Sequence, residues 1–304
     1  MKWRLWQLMS AVCTLAVLSG CGFMTHRTVT VYDLGVEAQD RGEFAQALEY
    51  YKETLMEHPE HLRARFNLAV IYHDQKRYRY AKQQYRLLLN RYPDHARSLV
   101  NLADIVLAEG DPAQAHMLLL RAVEAEPDRA YPYSYLGWYL QRQQQWAQAQ
   151  TAYERALAIE DDALTRYRLG MLWLQRGNTA EAERQLTQAV ARDDSLSEAL
   201  FQLALLAINQ NKTSDALRYL QRLTQVTPER AEVFVLLGKL YMQQEQYTTA
   251  ALHLWEARDL APDTPDVERL LLLVYQQLMQ QQQAVVNRLL KAPKSPLAHA
   301  ESSW

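Results

Sequence analysis

The sequence predicts an all-α fold, a solenoid of about seven helix–turn–helix repeats closed at its C-terminal end by a capping helix. The first observation is an apolar face at the helical spacing i, i+3, i+4 and i+7: Phe234, Leu237, Gly238 and Tyr241. The second is a polar break over 243–246, then another helical face and a proline that ends it: Tyr247, Ala250, Leu254, Ala257 and Pro262. The third is that the same unit recurs along the chain.

The recurrence keeps one register, with intervals of 33 or 34 residues. Upstream of Pro262, the closing proline or an aspartate in its place falls at Pro228, Asp194, Asp161, Pro127, Pro93 and Pro59. The second helix carries an alanine in every repeat: Ala47, Ala81, Ala115, Ala149, Ala182, Ala216 and Ala250. The expected helix crossings carry Leu34-Gly35, Leu68-Ala69, Leu102-Ala103, Leu136-Gly137, Leu169-Gly170, Leu203-Ala204 and Leu237-Gly238. Glycine or alanine at these positions lets two backbones approach closely.

Spacing and residue types resemble the tetratricopeptide repeat, a helix–turn–helix unit of 34 residues. The resemblance implies a right-handed superhelical solenoid whose stacked repeats share one core and whose concave groove binds a peptide or a helix. The seven repeats, 28–264 in all, cover approximately 28–61, 62–95, 96–129, 130–162, 163–196, 197–230 and 231–264. Because no long linker interrupts them, we expect one continuous array.

The segment after the last repeat predicts a cover for the open end of the array. Residues 265–291 are expected to form capping helices, beginning with a leucine-rich helix over 267–279. Residues 280–291 either continue this helix or form another short one. The composition of 292–304, with Pro, Lys, Ser and Ala, predicts a disordered tail.

Residues 1–20 predict a lipoprotein signal peptide. Lys2 and Arg4 precede an apolar run over 5–18, which is shorter than the roughly 20 residues that a spanning helix needs. Leu18-Ser19-Gly20-Cys21 resembles a bacterial lipoprotein cleavage box, which implies that Cys21 is lipidated and becomes the first mature residue. Gly22 stands where an aspartate favours inner-membrane retention in Gram-negative lipoproteins, so the resemblance favours the periplasmic face of the outer membrane. The linker over 21–27 reaches no further than about 25 Å.

Composition bounds the chemistry that the mature chain carries. Its two cysteines are Cys13, inside the segment predicted to be removed, and Cys21, so no disulfide is expected within the mature chain. Removing residues 1–20 takes the formal net charge from −2 to −4, because Lys2 and Arg4 leave with them. A nearly neutral chain suggests neither a nucleic-acid partner nor an acidic tail.

Motifs for catalysis are missing from the sequence. It contains no H-E-x-x-H, no glycine-rich phosphate loop and no G-x-S-x-G. His58 and His61 lack further metal ligands nearby, so we interpret them as solvated loop residues. Acidic pairs at the inter-repeat turns, such as Asp161-Asp162, predict caps for the following helix. We therefore expect no enzyme activity, no cofactor and no metal.

The middle repeats predict a ligand groove. In the tetratricopeptide family the second, fifth, ninth, twelfth and thirteenth positions of each first helix face the groove. Here these positions and their edge carry Tyr131, Ser134, Trp138, Arg142, Tyr167, Arg168, Met171, Phe201 and Leu205. Such an apolar strip predicts a site for a peptide or helix with apolar side chains. Arg142 and Arg168 are candidates to bind its carboxylate.

Two alternatives stay open for this strip and for a basic cluster. Tight packing, the cap or the tail of the protein itself would also bury the strip. The cluster at 76–91, with its tyrosines, is interpreted as a solvated convex face or, if functional, as a site for anionic headgroups near the anchor. Some relatives bind the C-terminal carboxylate of chaperones with a lysine and an asparagine on the first repeat. Tyr32 and Val36 occupy these two positions here, so a chaperone tail is not expected as the ligand.

These features together predict a non-catalytic interaction scaffold that is lipid-anchored to the outer membrane and binds a periplasmic protein or peptide. Lipobox and repeats resemble the tetratricopeptide lipoproteins of the pilotin type, which implies a role in assembling a pilus, secretin or secretion system. Adaptors for cell-wall hydrolases or proteases and scaffolds for exopolysaccharide export share the same architecture and remain alternatives. An enzyme is the alternative of a different class. The oligomeric state is left open.

Overall fold

The structure, a computed structural model, describes residues 29–291. The predicted signal peptide (1–20), the lipidated Cys21 with its linker (21–27) and the predicted tail (292–304) lie outside the described residues. Within the described range the chain forms α-helices and no strand. The helices are α1 (Val31–Asp40), α2 (Phe44–Glu57), α3 (Leu62–Asp74), α4 (Tyr78–Arg91), α5 (Ala96–Ala108), α6 (Pro112–Ala125), α7 (Ala130–Arg142), α8 (Trp146–Ile159), α9 (Ala163–Gln175), α10 (Thr179–Arg192), α11 (Ser197–Asn209), α12 (Thr213–Val226), α13 (Ala231–Gln243), α14 (Tyr247–Leu260) and α15 (Pro265–Lys291).

Helices α1 to α14 form seven pairs, and each pair falls inside one predicted repeat. The prediction of an all-α tetratricopeptide fold is therefore confirmed. The described chain divides into two compact units, one ending at Asp111 and one beginning at Pro112. The division lies between the two helices of the third repeat, where the even repeat pattern contains no signal for it. Within each unit, helices that follow one another in sequence pack against one another.

The small residues of the repeat explain how closely the paired helices pack. The repeated alanines are all fully buried at 0% exposure: Ala47, Ala81, Ala115, Ala149, Ala182, Ala216 and Ala250. At the crossing of α7 and α8, a Cβ on Gly137 would lie 2.7 Å from the ring of Tyr153. No real Cβ comes that close to a ring, so this crossing requires glycine, as the pattern indicated.

The turn inside each repeat also follows the period. One residue in every such turn has a positive φ: Gly42, Lys76, Gly110, Gln144, Gly177, Asn211 and Glu245. A left-handed residue after the last helical turn lets the following N–H groups bond back to the helix carbonyls. Three of the seven, Lys76, Gln144 and Glu245, carry side chains that disfavour this conformation, so the packing of the two helices imposes the turn there.

The predicted caps are found at one residue of the acidic pair. Asp162 accepts a hydrogen bond from the backbone N–H of Thr165 at 2.9 Å and caps α9. Asp161 instead forms ion pairs with Arg166 and Arg192, and the hydrogen bond from Arg166 is the main reason that its pKa lies below the usual range. Asp161 therefore ties α9 to α10, and its prediction as a helix cap is wrong.

His61 has a structural task that the sequence did not indicate. Its Nδ1 accepts a hydrogen bond from the backbone N–H of Ala64 at 3.1 Å, which caps α3. Its ring lies 4.7 Å from the ring of Tyr32, between centroids. Of the pair, His58 is exposed and His61 is half-buried. The interpretation of His61 as a solvated loop residue is therefore wrong.

Helix α15 runs unbroken from Pro265 to Lys291, so residues 280–291 continue the leucine-rich segment. One face packs against the last repeat through Val267, Leu271 and Val274, which are buried together with Leu254 of α14. From residue 279 to residue 288 every side chain is exposed. The first half of α15 thus covers the end of the last repeat, and the second half extends beyond it.

Candidate peptide-binding site

The residues predicted to line a groove lie on α7, α9 and α11, the first helices of three successive repeats in the second unit. On α7 the four residues share one helical face: Tyr131, Ser134, Trp138 and Arg142. Hydrogen bonds join this face to α9, and Tyr167 of α9 packs on a cluster that includes Leu203 of α11. The three helices therefore present a shared surface.

The outer edge of this surface is an aromatic ring paired with a cation. The guanidinium carbon of Arg142 lies 5.0 Å from the centroid of the Trp138 ring, one helical turn away. Trp138 is half-buried and Arg142 is exposed. Tyr131, at the other end of the α7 face, is half-buried and donates its hydroxyl hydrogen bond to Glu126 at 2.9 Å. Trp138 and Arg142 retain surface that a ligand can contact.

Ser134 and Arg168 belong to a polar network between α7 and α9. The Ser134 hydroxyl, which is buried, accepts hydrogen bonds from Thr165 at 2.7 Å and from the Arg168 guanidinium at 2.9 Å. The guanidinium carbon of Arg168 also lies 4.5 Å from the centroid of the Tyr135 ring. These contacts hold Arg168 within the protein. Of the two predicted carboxylate-binding cations, Arg142 is the more accessible.

The position of Arg168 recurs in the repeat with the same structural task. Asn67 and Asn101 occupy it in the second and third repeats, where they donate hydrogen bonds to the hydroxyls of Tyr51 and Tyr85 at 3.2 and 3.0 Å. In each case a polar side chain reaches a residue of the preceding repeat. Arg168 is therefore a residue that joins two repeats, as well as a neighbour of the strip.

The centre of the strip consists of Tyr167 and Met171 on α9, both half-buried. Burial raises the pKa of the Tyr167 hydroxyl, the carboxylate of Glu198 adds to the shift, and Arg168 opposes it. This phenol therefore stays protonated well above neutral pH, and it offers an apolar face with one hydrogen-bond donor.

On α11 the structure separates two predicted groove residues. Leu205 is half-buried, whereas Phe201 is 7% exposed and belongs to the core cluster with Leu237. The guanidinium carbon of Arg230 lies 3.7 Å from the centroid of the Phe201 ring and covers it. Phe201 therefore leaves little surface for a ligand. The packed alternative holds for Phe201 and Ser134, while the other positions keep accessible surface.

Sequence reasoning missed the residues that fix these side chains. Thr165, Tyr135 and Arg230 are such residues, and each acts across a helix boundary. A partial signal exists, since Gln141 and Gln175 lie 34 residues apart and form a hydrogen bond of 2.7 Å. Polar residues at equivalent positions of adjacent repeats are therefore candidates for contacts between repeats.

The opposite face of α7 lines a second concavity that the sequence did not predict. This pocket, of about 540 Å³, lies between α6, α7 and α8. Its walls are His116, Leu120, Tyr133, Leu136, Leu140, Gln148, Thr151, Ala152 and Arg155. The His116 ring stacks on Tyr139 at 5.2 Å between centroids. The volume falls in the range of small-ligand sites, although the walls are formed by the ordinary packing faces of two repeats.

The basic cluster lies in the first unit, on and beside α4. The guanidinium carbon of Arg77 lies 4.7 Å from the centroid of the Tyr72 ring and 4.9 Å from that of Tyr80. Lys82 forms an ion pair with Glu109 at 2.5 Å. Contacts inside the protein thus account for two cations of the cluster, Arg77 and Lys82.

Within residues 29–291 the structure shows neither a metal-binding cluster nor a membrane span. No group of three or more His, Cys, Asp or Glu side chains there is placed to hold a metal ion. No helix in that part of the chain combines the length and the apolar character needed to cross a membrane.

The protein is a helical-repeat protein. Its paired helices cross at small residues, and its surface strip lies on the first helices of successive repeats. Sequence profiles described as tetratricopeptide repeat match residues 38–105 and 173–240, and a second such profile matches 136–198. Together these matches span more than half of the chain. The chain belongs to the tetratricopeptide-repeat family.

Solved structures of similar fold include a pilus biogenesis factor. PilW, a widely conserved type IV pilus biogenesis factor, has 19% sequence identity and a TM-score of 0.58, over 69% of this chain and 98% of PilW. PilF of Pseudomonas aeruginosa has 20% identity and a TM-score of 0.59, over 72% of this chain and 97% of PilF. The APC/C hetero-tetramer Cut9–Hcn1 has 15% identity and a TM-score of 0.61, over 80% of this chain and 48% of that one. At these identities the likeness shows the fold alone. No curated protein matches the chain.

Proposed function

We propose that this protein is a non-catalytic scaffold that binds a peptide or helix of a partner protein along α7, α9 and α11. The observation that carries the proposal is the accessible Trp138–Arg142 pair at the edge of a strip formed by Tyr167, Met171 and Leu205. Tryptophan, tyrosine and arginine are the residues that most often dominate binding energy at interfaces. A partner that covers the strip removes the apolar surface of Tyr167, Met171 and Leu205 from water, and none of these three side chains carries a charge.

The chemistry of the strip sets the expected ligand. Apolar side chains of the ligand pack on Met171 and Leu205, and the ring of Trp138 anchors one of them. A carboxylate of the ligand pairs with Arg142, because the Arg168 guanidinium is already bonded to Ser134. We therefore expect an amphipathic segment that combines apolar residues with an acidic group.

We place this scaffold on the periplasmic face of the outer membrane, held by lipid on Cys21. The resemblance of residues 18–21 to a lipoprotein cleavage box supports the anchor. The similarity of fold to PilW, itself a type IV pilus biogenesis factor, supports assembly of a pilus-type envelope machine as the role. The adaptor and exopolysaccharide alternatives use the same strip and differ in the partner.

The strip is tested with Trp138→Ala combined with Tyr167→Ala in the full-length chain. We expect capture of the partner in crosslinked envelopes to fall at least about 30-fold, because hot-spot residues cost 2 kcal/mol or more and 1.4 kcal/mol is a factor of ten. The measurement is quantitative mass spectrometry of the captured proteins, with circular dichroism to establish that the variant is folded.

A matched control removes two exposed aromatic rings from the first unit, Tyr80→Ala with Tyr92→Ala. This control should capture the partner as the wild type does. Equal capture by the wild type and the Trp138/Tyr167 variant would contradict the proposal that the partner binds along this strip. A captured secretin or pilus subunit supports the proposed pathway, and a captured hydrolase, protease or polymer-export protein replaces it with one of the alternatives.

The anchor is tested by Cys21→Ser. We expect this variant to move from the membrane pellet to the soluble fraction of detergent-free extracts, because it has no thiol to carry lipid. Cys13→Ser is the matched control, since Cys13 lies in the segment predicted to be removed, and it should stay in the pellet. Membrane fractionation of Cys21→Ser that matches the wild type would exclude the lipid anchor.

A further inference from the structure

Helix α15 carries a long uncharged surface. From Leu270 to Asn287 the sequence contains no acidic or basic residue and no histidine. More than two thirds of this stretch is exposed, including every side chain from residue 279 onwards. Depletion of charge on an exposed helix distinguishes the core of an interface from ordinary surface.

A stripe of large apolar side chains runs along this surface. It consists of Leu272, Tyr275, Met279, Val286 and Leu290, which share one side of the helix at spacings of three, four and seven residues. Leu272 is 60% exposed and Met279 is 71% exposed. The stripe lies apart from the buried face of Val267, Leu271 and Val274, which is already packed on the last repeat. It is a second apolar face.

The stripe continues onto α14. The indole N–H of Trp255 donates a hydrogen bond to the Tyr275 hydroxyl at 2.6 Å, which places the exposed face of α14 beside the stripe. Leu252 on that face is 64% exposed. A contiguous apolar patch of this kind marks an interaction surface.

The length of α15 adds a second argument for a partner. Its 27 residues span about 40 Å, while the 14 residues of α14 span about 21 Å. The half that extends beyond the last repeat has about a dozen residues, a length at which an isolated helix is marginal in water. Packing against another helix would stabilise this half.

We propose that α15 is a dimerisation helix that pairs in antiparallel orientation with α15 of a second copy of this chain. Leu272 and Val286 lie seven residues before and after Met279. A two-fold axis at Met279 therefore sets Leu272 of each copy near Val286 of the other, so these three side chains of the stripe form a self-complementary set. The overhanging half of each helix then lies on the supported half of its partner.

The ends of α15 favour the same orientation. Asp266 and Glu268 lie in the first turn of α15, and Arg288 lies near its end. Arg269 follows Glu268, and Arg288 lies on the side of the helix opposite Met279, so these side chains do not pair across the interface. Antiparallel pairing still sets the opposite ends of the two helix dipoles beside each other. Parallel pairing would set the like ends of the two dipoles side by side.

Orientation is tested by cysteine crosslinking of two differently tagged copies of the full-length chain in envelopes. With Leu272→Cys in one copy and Val286→Cys in the other, we expect a crosslinked dimer that carries both tags. With Leu272→Cys in both copies we expect little or none. Crosslinks only in the second arrangement would overturn antiparallel pairing, and the chain without added cysteines controls for Cys13 and Cys21.

The surface is tested by Met279→Glu, which sets two carboxylates against each other at the axis. We expect the crosslinked fraction to fall at least tenfold, while Gln280→Glu on another side of the helix leaves it unchanged. Because Met279 is exposed in the single chain, circular dichroism should show both variants folded. Equal crosslinking of the two variants would overturn the proposal. Crosslinks from these cysteines to a different protein, or within one chain, would overturn it as well.

This dimer is independent of the proposed peptide groove. The Trp138→Ala, Tyr167→Ala variant is expected to crosslink through α15 as the wild type does. Failure of one proposal therefore leaves the other intact.

Discussion

Replacing Tyr153 by alanine is expected to lower the free energy of unfolding of the second unit by about 3–5 kcal/mol, the cost of deleting a buried aromatic ring. The ring is fully buried between α7 and α8, directly against Gly137. Gly137 has no side chain to fill the space that the ring leaves, so the cavity persists. The measurement is urea unfolding followed by tryptophan fluorescence, because every tryptophan within residues 29–291 lies in the second unit.

Tyr153→Phe is the control that separates the ring from its hydroxyl. The hydroxyl donates a hydrogen bond to Gln141 at 2.8 Å, and Gln141 keeps its other bond to Gln175 in the variant. We expect a loss of about 0.5–1.5 kcal/mol, the net worth of one hydrogen bond. If phenylalanine cost as much as alanine, ring packing would not be what holds this repeat together.

The fold was predictable because the residues that define it act within one repeat. Ala149 and Gly137 are read directly from the period, and the structure buries the first and sets the second against Tyr153. The division after Asp111 was not predictable in the same way. The period reports how two helices pack inside a repeat, and the third repeat has the same small residues as its neighbours.

The site was predictable in its position and less so in its exposure. Helical spacing places Ser134 and Trp138 on one face of α7, and the structure agrees. Whether each is open depends on side chains from other helices. Ser134 is buried under Thr165 and Arg168, which lie 31 and 34 residues away in sequence. The period indicates where such contacts can form, but it does not indicate which side chain fills the shared space.

Raising the pH from 10 to 11 is expected to destabilise both units. Burial raises the pKa of Tyr51 to about 12, and it also raises the pKa of Tyr85 and of Tyr153. Above pH 10 the unfolded chain releases these protons while the folded chain retains them. The folded state then binds more protons, so the free energy of unfolding falls as the pH rises, by about 1.4 kcal/mol per pH unit for each fully buried tyrosine. The loss continues until the pH reaches the folded-state pKa.

The check is the free energy of unfolding at pH 9, 10 and 11, measured with urea, beside the phenolate absorbance of the native protein. Tyr85→Phe should reduce the pH dependence of the first unit to the part that Tyr51 contributes and leave that of the second unit unchanged, because the phenylalanine has no proton to release. It keeps the ring and removes only the hydroxyl that receives the Asn101 hydrogen bond. A stability that stays constant from pH 9 to pH 11, with all native tyrosines ionising near pH 10, would mean that these hydroxyls are solvated. The stacked repeats would then be held by their apolar contacts and by alanine and glycine at the crossings, without the buried phenols.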